Sequence, residues 1–260
     1  MRTLRYVAML VYGALAFAQR PSGQDTAALV EKARQKALAY TQSLPDFVAT
    51  EVLHRYSGSM GRGYGGNPID TLTIQLRYLH HKEDHKLMLV DGKPAGRTFE
   101  TLEGTVSSGE FGATLSAIFD PATETAFHWQ NWKNLRGRRV AVLGYEVTGA
   151  QSHYRLGTTA DGRTVSADAG YHGVLEIDSE TGEVLRLEYV ADHVPESLHL
   201  TYAGTTVDYA LAGIAGRNYL LPSRSETEMR GSTAWARNVI EFRDYHRFSV
   251  DSTVDFGPVK

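Results

Sequence analysis

The chain has 260 residues, 27 basic against 30 acidic side chains, a net charge of −3 and no cysteine. The lack of cysteine excludes disulfides, thiolate metal sites, a cysteine nucleophile and a bacterial lipoprotein anchor. A net negative charge argues against a nucleic-acid or anionic-membrane footprint, both of which require a positive patch.

The first eighteen residues read as an export signal. Arg2 and Arg5 form a charged start, Tyr6 to Phe17 an apolar run, and Ala16-Phe17-Ala18 a small-x-small cleavage pattern. The run is too short to cross a hydrocarbon layer of roughly 30 Å as a helix, and Gln19, Arg20 and Pro21 close it. Cleavage after Ala18 is expected to leave residues 19–260 as a single domain without an integral membrane segment, periplasmic or secreted. A chain of this length can build one β core without staples.

From a cap at Asp25 or Thr26, Val30, Ala33, Ala37, Tyr40 or Thr41 and Leu44 recur at helical spacing. Lys32, Arg34, Gln35 and Lys36 fall mostly on the opposite side, which predicts an amphipathic helix ending before Pro45 and packed on a sheet. After Pro45 the period becomes two. Phe47 to Tyr56 opens the pattern, and Leu72, Ile74, Leu76 and Tyr78 alternate with Thr71, Thr73, Gln75 and Arg77. The region around Val140 repeats it more loosely. Gly173 to Val190 reads as a hairpin turning through Asp178 to Glu183, and later strands fit Thr206–Ile214, Asn218–Met229 and Asn238–Phe248. One interruption stands out: Ser107-Ser108-Gly109-Glu110 is a capping box, Phe111, Leu115 and Ile118 share a helical face, and Asp120-Pro121 stops the turn. The pattern is that of a mainly β chain (α+β), an antiparallel meander with an N-terminal amphipathic helix and a short inserted helix.

The motifs that carry chemistry are weak. Gly61-Arg62-Gly63-Tyr64-Gly65-Gly66 has the letters of a dinucleotide fingerprint, but Asn67-Pro68 leads into a strand where the fingerprint needs a helix N-terminus. His81, Glu83 and His85 would share one face of a strand, as a metal site requires, but the pattern is unspecific and Lys82-Glu83-Asp84 reads as the hairpin turn itself. Asp178 to Glu183 is too short for a calcium loop. No nucleophile-elbow, zinc-protease or phosphate-loop pattern occurs, so no catalytic residue, metal or cofactor is assigned and the reading is non-enzymatic. A hydrolase would need a site invisible in sequence. Phe127-His128-Trp129-Gln130-Asn131-Trp132 is the densest aromatic cluster and suits either a core edge or a lined groove; Trp235 falls in a loop before Asn238, as a contact residue or an anchor.

Taken together, the helix Asp25–Leu44, the strand Pro45–Tyr56 after it and the hairpin Ile177-Asp178-Ser179-Glu180-Thr181-Gly182-Glu183-Val184-Leu185-Arg186 resemble the lipoprotein-localisation carrier superfamily. The chain also resembles uncharacterised bacterial envelope proteins. The first resemblance implies one large antiparallel sheet curved into a half-barrel, whose concave face holds acyl chains beneath helices. It implies a periplasmic protein binding a lipid or lipidated partner. Candidate ligand-binding residues on that reading are Phe111, Leu115, Ile118, Phe127, Trp129 and Trp132. The alternative is an envelope protein-interaction or sensor module whose core is filled by its own side chains and whose loops, Gly58–Pro68 among them, meet another protein.

Overall fold

The computed structural model of the protein describes residues 20–61, 67–96, 98, 111–160 and 163–249. Helix α1 runs from Gly23 to Ser43. Its start is fixed by Ser22, whose hydroxyl accepts from the Asp25 N–H at 3.1 Å while the Asp25 carboxylate accepts from the Ser22 N–H at 3.2 Å. Asp25 is therefore the third residue of the first turn rather than its cap, because a serine three positions earlier completes the reciprocal box. Leu44 leaves the helix extended, as the residue before a proline must.

Thirteen strands follow among the described residues. The first four are β1 (Phe47–Ser59), β2 (Asn67–Leu79), β3 (Lys82–Val90) and β4 (Lys93–Pro94). Helix α2 (Ala113–Phe119) separates them from β5 (Ala126–Leu135) and β6 (Arg138–Val147). Then come β7 (Arg155–Ala160), β8 (Arg163–Asp168), β9 (Gly170–Asp178) and β10 (Val184–Asp192). The last three, β11 (Leu200–Ile214), β12 (Arg217–Gly231) and β13 (Ala234–Arg247), are the longest. Eleven strands form one antiparallel sheet in the order β4-β3-β2-β1-β13-β12-β11-β10-β9-β6-β5; β7 and β8 make a separate hairpin. The sheet does not close: β4 and β5 are its edges, and it curves into a half-barrel around the two helices. The pairing of β13 with β1 joins the two meanders.

Left-handed residues make the tight turns. Asp91-Gly92, Arg136-Gly137 and Ala215-Gly216 each have two positive φ angles between directly paired strand ends, as a two-residue primed turn requires. His80-His81 does the same without glycine, at φ 51° and 62°. The β2–β3 turn is thus His80-His81, with the Asp46 carboxylate accepting from the His80 N–H at 2.8 Å, and Lys82-Glu83-Asp84 belongs to β3. Sequence pattern placed that turn two residues late because histidine is not a turn signal. Trp235 likewise lies in β13, buried, opposite Gly58. A Cβ on Gly58 would come within 2.7 Å of the indole, so the glycine makes room for it.

The sheet splits at one end. β12 pairs with β13 only over Arg224–Arg230, although both strands continue. Pro222 has no N–H to donate, and Asp244, at φ 56°, lies within the bulge that shifts the β1–β13 register. Beyond Ser223 the β11–β12 hairpin follows its own course.

The inner face carries two apolar clusters. One joins β6, β9, β10 and β11 to α1 and α2 through Leu143, Leu175, Leu187, Val207, Ala33 and Leu115. The other joins β1, β2, β3 and β13 around Phe47, Leu72, Leu76 and Phe111. On the outer face, charges alternate across strands. Arg186 grips Asp208 through two bonds of 2.8 and 3.0 Å, Arg136 reaches the same carboxylate at 2.5 Å, and Lys133 pairs with the buried Glu176 at 2.7 Å. The Asp208 bonds hold the Arg186 guanidinium above its ordinary pKa. These bonds hold the β5–β6 hairpin on the sheet, while the second Glu176 oxygen, Oε2, is buried with no hydrogen-bond partner among the described residues.

Residues 1–18 and the box Ser107–Glu110 lie outside the described residues. No described helix is long and apolar enough to cross a membrane.

Candidate functional site

An apolar cleft of about 270 Å³ opens between the C-terminal half of α1 and the sheet. Its lid side is a helical stripe: Lys36, Ala37, Tyr40, Ser43 and Leu44 recur at the spacing that brings one face together. The opposite wall comes from Val184 of β10, Tyr209 of β11 and Tyr219 and Leu220 of β12, with Leu115 of α2. Lys36, Glu183 and Asn218 bring polar groups to the lining. The size is just below the roughly 300–1,000 Å³ usual for small-molecule sites, enough for a short aliphatic segment.

The lid is lightly held. Among the residues of α1 whose burial is described, Ala33 and Ala37 are fully buried, with Leu29, Val30, Leu38 and Tyr40 half-buried against the first cluster. Small side chains let the helix approach closely but hide little apolar area, at about 25 cal/mol per Å². The polar ties between α1 and the rest include the Lys32 ammonium on the Glu180 carbonyl and the Ser116 hydroxyl on the Ala37 carbonyl at 3.5 Å. Gly182 makes the first of these possible. Its φ is 76°, and a Cβ there would meet the Lys32 chain at 2.7 Å. Burial alone would raise the Asp178 carboxyl, but bonds from the Thr181 and Glu180 N–H groups at 2.7 and 2.9 Å, with Arg138 nearby, bring its pKa down. This carboxylate shapes the turn that presents Glu183 and Val184.

Tyr40 is the unusual member. Its ring packs against both apolar clusters and meets Tyr209 edge-on at 6.2 Å. Its hydroxyl is buried and has no hydrogen-bond partner among the described residues. Burial pushes its pKa well above the usual tyrosine range, with Tyr209, Tyr245 and Tyr78 adding to the effect, so it remains a neutral donor. A buried polar group left unpaired costs about 1–3 kcal/mol. Elsewhere the buried hydroxyls are used: Tyr245 donates to the Pro222 carbonyl at 2.6 Å and Tyr145 to the Glu188 carbonyl at 3.0 Å.

Of the six residues named from sequence, Leu115 alone lines the cleft. Phe111 is buried in the second cluster, with its ring 5.5 Å from Phe47 and 5.4 Å from Phe242. Ile118 is fully buried in the first. Phe127 stacks on Phe119 at 5.4 Å, while Trp129 and Trp132 meet edge-on at 4.8 Å along the edge strand β5. Arg139 lies 3.9 Å over the Trp132 ring. Phe127 and Trp129 are half-buried against the first cluster. Sequence reasoning read Tyr40 and Leu44 only as packing positions and passed over Val184, Tyr209 and Leu220 as strand residues. The available signal was a tyrosine on a helix face otherwise made of alanine and aliphatic side chains. His81 sits in the turn, away from β3, while His85 lies 3.3 Å from the Glu51 carboxylate and 4.0 Å from Glu83. Among the described residues no group of three histidine or acidic side chains could hold a metal ion.

No family model and no curated protein matches the chain. Solved structures similar to it include a DUF1329 family protein from Desulfovibrio piger, at 13% identity and a TM-score of 0.37, covering 87% of this chain and 94% of that one. A LolA superfamily protein from Nitrosomonas europaea gives 12% identity and 0.34, over 86% and 94%. A putative outer membrane lipoprotein-sorting protein domain from Vibrio parahaemolyticus gives 16% identity and 0.37, over 86% and 93%. At these TM-scores the likenesses carry no argument. The architecture implied by the sequence resemblance, an unclosed antiparallel half-barrel with an N-terminal helix and a short inserted helix, is nonetheless the one the chain adopts.

Proposed function

We propose that the protein is exported, that residues 1–18 are removed, and that residues 19–260 form one domain that binds a lipid or lipidated partner without catalysing a reaction. The acyl chain lies in the cleft beneath α1, and the helix is its lid. One observation carries this reading: an apolar cleft roofed by a helix whose fully buried described residues are two alanines, its larger apolar side chains being half-buried. Each methylene hidden from water gains about 0.8 kcal/mol, so even a short segment of chain in the cleft is worthwhile. A helix with few ties can lift at modest cost, exposing Leu187, Val207 and Tyr209 beneath it to a longer chain.

A different observation favours a second reading. Away from the cleft the inner face is filled by its own side chains, Phe111 and Ile118 included, which suits an envelope interaction or sensor module.

Mass spectrometry of an organic extract separates the two, using mature protein purified from a bacterial periplasm without detergent. A near-stoichiometric lipid is expected, together with displacement of a fluorescent fatty acid, weakened at least tenfold by Ala39→Trp, which narrows the cleft from an exposed position on the lid. No extracted lipid and no probe binding would move the assignment to the interaction module. Terminal sequencing of the same sample is expected to begin at Gln19.

A further inference from the structure

We infer that the notch where β12 and β13 part is a docking site for an extended, acidic peptide segment of a partner protein, which pairs with the two open strand edges. The inference is independent of what the cleft under α1 binds.

β12 and β13 are paired over residues 224–230 of β12, yet β12 begins at Arg217 and β13 continues to Arg247. On their far sides both open runs are paired, residues 217–222 with β11 and residues 242–247 with β1 across a bulge. Backbone groups point alternately to the two sides of a strand, so every second residue of each run turns its N–H and C=O to the gap, where no strand meets it. Side chains satisfy part of what is missing. The Tyr245 hydroxyl donates to the Pro222 carbonyl at 2.6 Å, and His246 Nδ1 lies 2.7 Å from the Asp244 carbonyl. The gap itself holds about 270 Å³. Its walls include Ala210, Ala212 and Gly213, which let a backbone come close. They also include Leu211, at 62% the most exposed large apolar side chain among the described residues.

These features favour a strand over other occupants. An acyl chain brings no donors or acceptors to the open edges, and a helix uses its own internally. The run of β12 before Pro222 extends from Arg217 to Leu221, which matches an extended segment about 17 Å long. Because β12 and β13 are antiparallel, the segment lies antiparallel to one and parallel to the other, and both ladders are open to an extended chain. Charge supplies the rest of the partner's chemistry. Over the two open runs Arg217, Arg243 and Arg247 are exposed and stand against one carboxylate, Asp244, which is 3.9 Å from Arg243. A segment alternating acidic and apolar residues brings carboxylates to that rim and an apolar side chain to Leu211.

The probe is a fluorescein-labelled peptide of alternating glutamate and valine, about nine residues long, titrated against residues 19–260 by fluorescence anisotropy. Saturable binding is expected, at least tenfold tighter than for the same peptide with lysine in place of glutamate. It is also expected to be at least tenfold tighter than for a version N-methylated at alternate residues, which has no N–H groups to give to one of the two edges. Arg243→Glu and Leu211→Asp, both at exposed positions, are each expected to weaken binding at least fivefold, with circular dichroism confirming the fold. Amide exchange in the presence of the peptide should slow over residues 217–223 and 242–247. Equal binding of the lysine peptide, full binding of the N-methylated peptide, undiminished binding by both variants, or slowing of exchange away from these two runs would each overturn the inference. Absence of binding to residues 19–260 would overturn it as well. If binding then appears once residues 250–260 are deleted, the occupant of the notch is that part of the chain itself and not a partner.

Discussion

The hydroxyl of Tyr145 on β6 donates to the carbonyl of Glu188 on β10, 3.0 Å away, although β9 runs between the two strands. The bond is possible because Gly173, opposite Tyr145 on β9, has no side chain to block the phenol. A Cβ there would lie 1.8 Å from the Glu188 carbonyl oxygen and 2.8 Å from the Tyr145 hydroxyl. Gly173→Ala is expected to destabilise the protein by about 3 kcal/mol, the upper part of the overpacking range, and to lower Tm by about 6–12 °C. The nearest obstacle is backbone, so adding Tyr145→Phe should not rescue it. Thermal unfolding of the two single variants and the double variant checks both statements.

Arg55 and Asp70 form a buried pair on the inner face, with guanidinium–carboxylate distances of 2.7 and 2.6 Å. Removing one partner takes away two short bonds from a charge that stays buried. Asp70→Ala is expected to cost about 3–5 kcal/mol, whereas the double replacement Arg55→Leu with Asp70→Leu should cost distinctly less, because no charge of the pair remains to be buried. Urea unfolding of the full double-mutant cycle gives the coupling directly. A double variant less stable than Asp70→Ala would show that the pair is needed for more than mutual neutralisation.

Buried tyrosines make the fold sensitive to alkali. Burial first, then neighbouring phenols, raises Tyr40, Tyr145 and Tyr154 above the usual range and pushes Tyr171 up to about 12. The folded state therefore holds these protons more tightly than the unfolded chain, whose tyrosines titrate near 10. Stability from this source is complete below about pH 10 and is lost as the pH rises above it, because only the unfolded state releases the protons. Tm should be flat from pH 7 to 9 and fall steeply beyond 10. Phenolate absorbance should rise cooperatively with unfolding rather than as independent titrations.

Where β13 leaves β12, Tyr245 bridges the gap through its 2.6 Å bond to the Pro222 carbonyl. Tyr245→Phe removes one hydrogen bond worth about 1 kcal/mol and is expected to lower Tm by about 2–4 °C. Amide exchange should quicken locally, over Leu220–Ser223 and Phe242–Arg247, with the other strands of the sheet unchanged. Quickening spread evenly over the sheet would contradict a local bridge.

Much of the fold was legible because alternation and turn chemistry are local properties. Leu72, Ile74, Leu76 and Tyr78 read as one buried face from their spacing alone, and all four are buried. The helix Asp25–Leu44 was two residues short at its start, since Ser22 shares no part in the apolar stripe that marks the helix. The Phe127–Trp132 cluster was ambiguous for a different reason: whether an aromatic face lines a groove or closes a core depends on what lies across from it. For Phe127 the facing residue is Phe119, and for Trp132 the cation above it is Arg139.

The amino-acid pattern by itself determined that this chain is an antiparallel β protein with an N-terminal amphipathic helix, because hydrophobic period and turn residues act over a few positions. Only the tertiary structure decided where space remains. The cleft exists because α1 packs through Ala33 and Ala37 on strands far away in sequence. The orphaned Tyr40 hydroxyl follows from the same cause: whether a donor finds an acceptor depends on what the fold brings within about 3 Å, which no local pattern encodes.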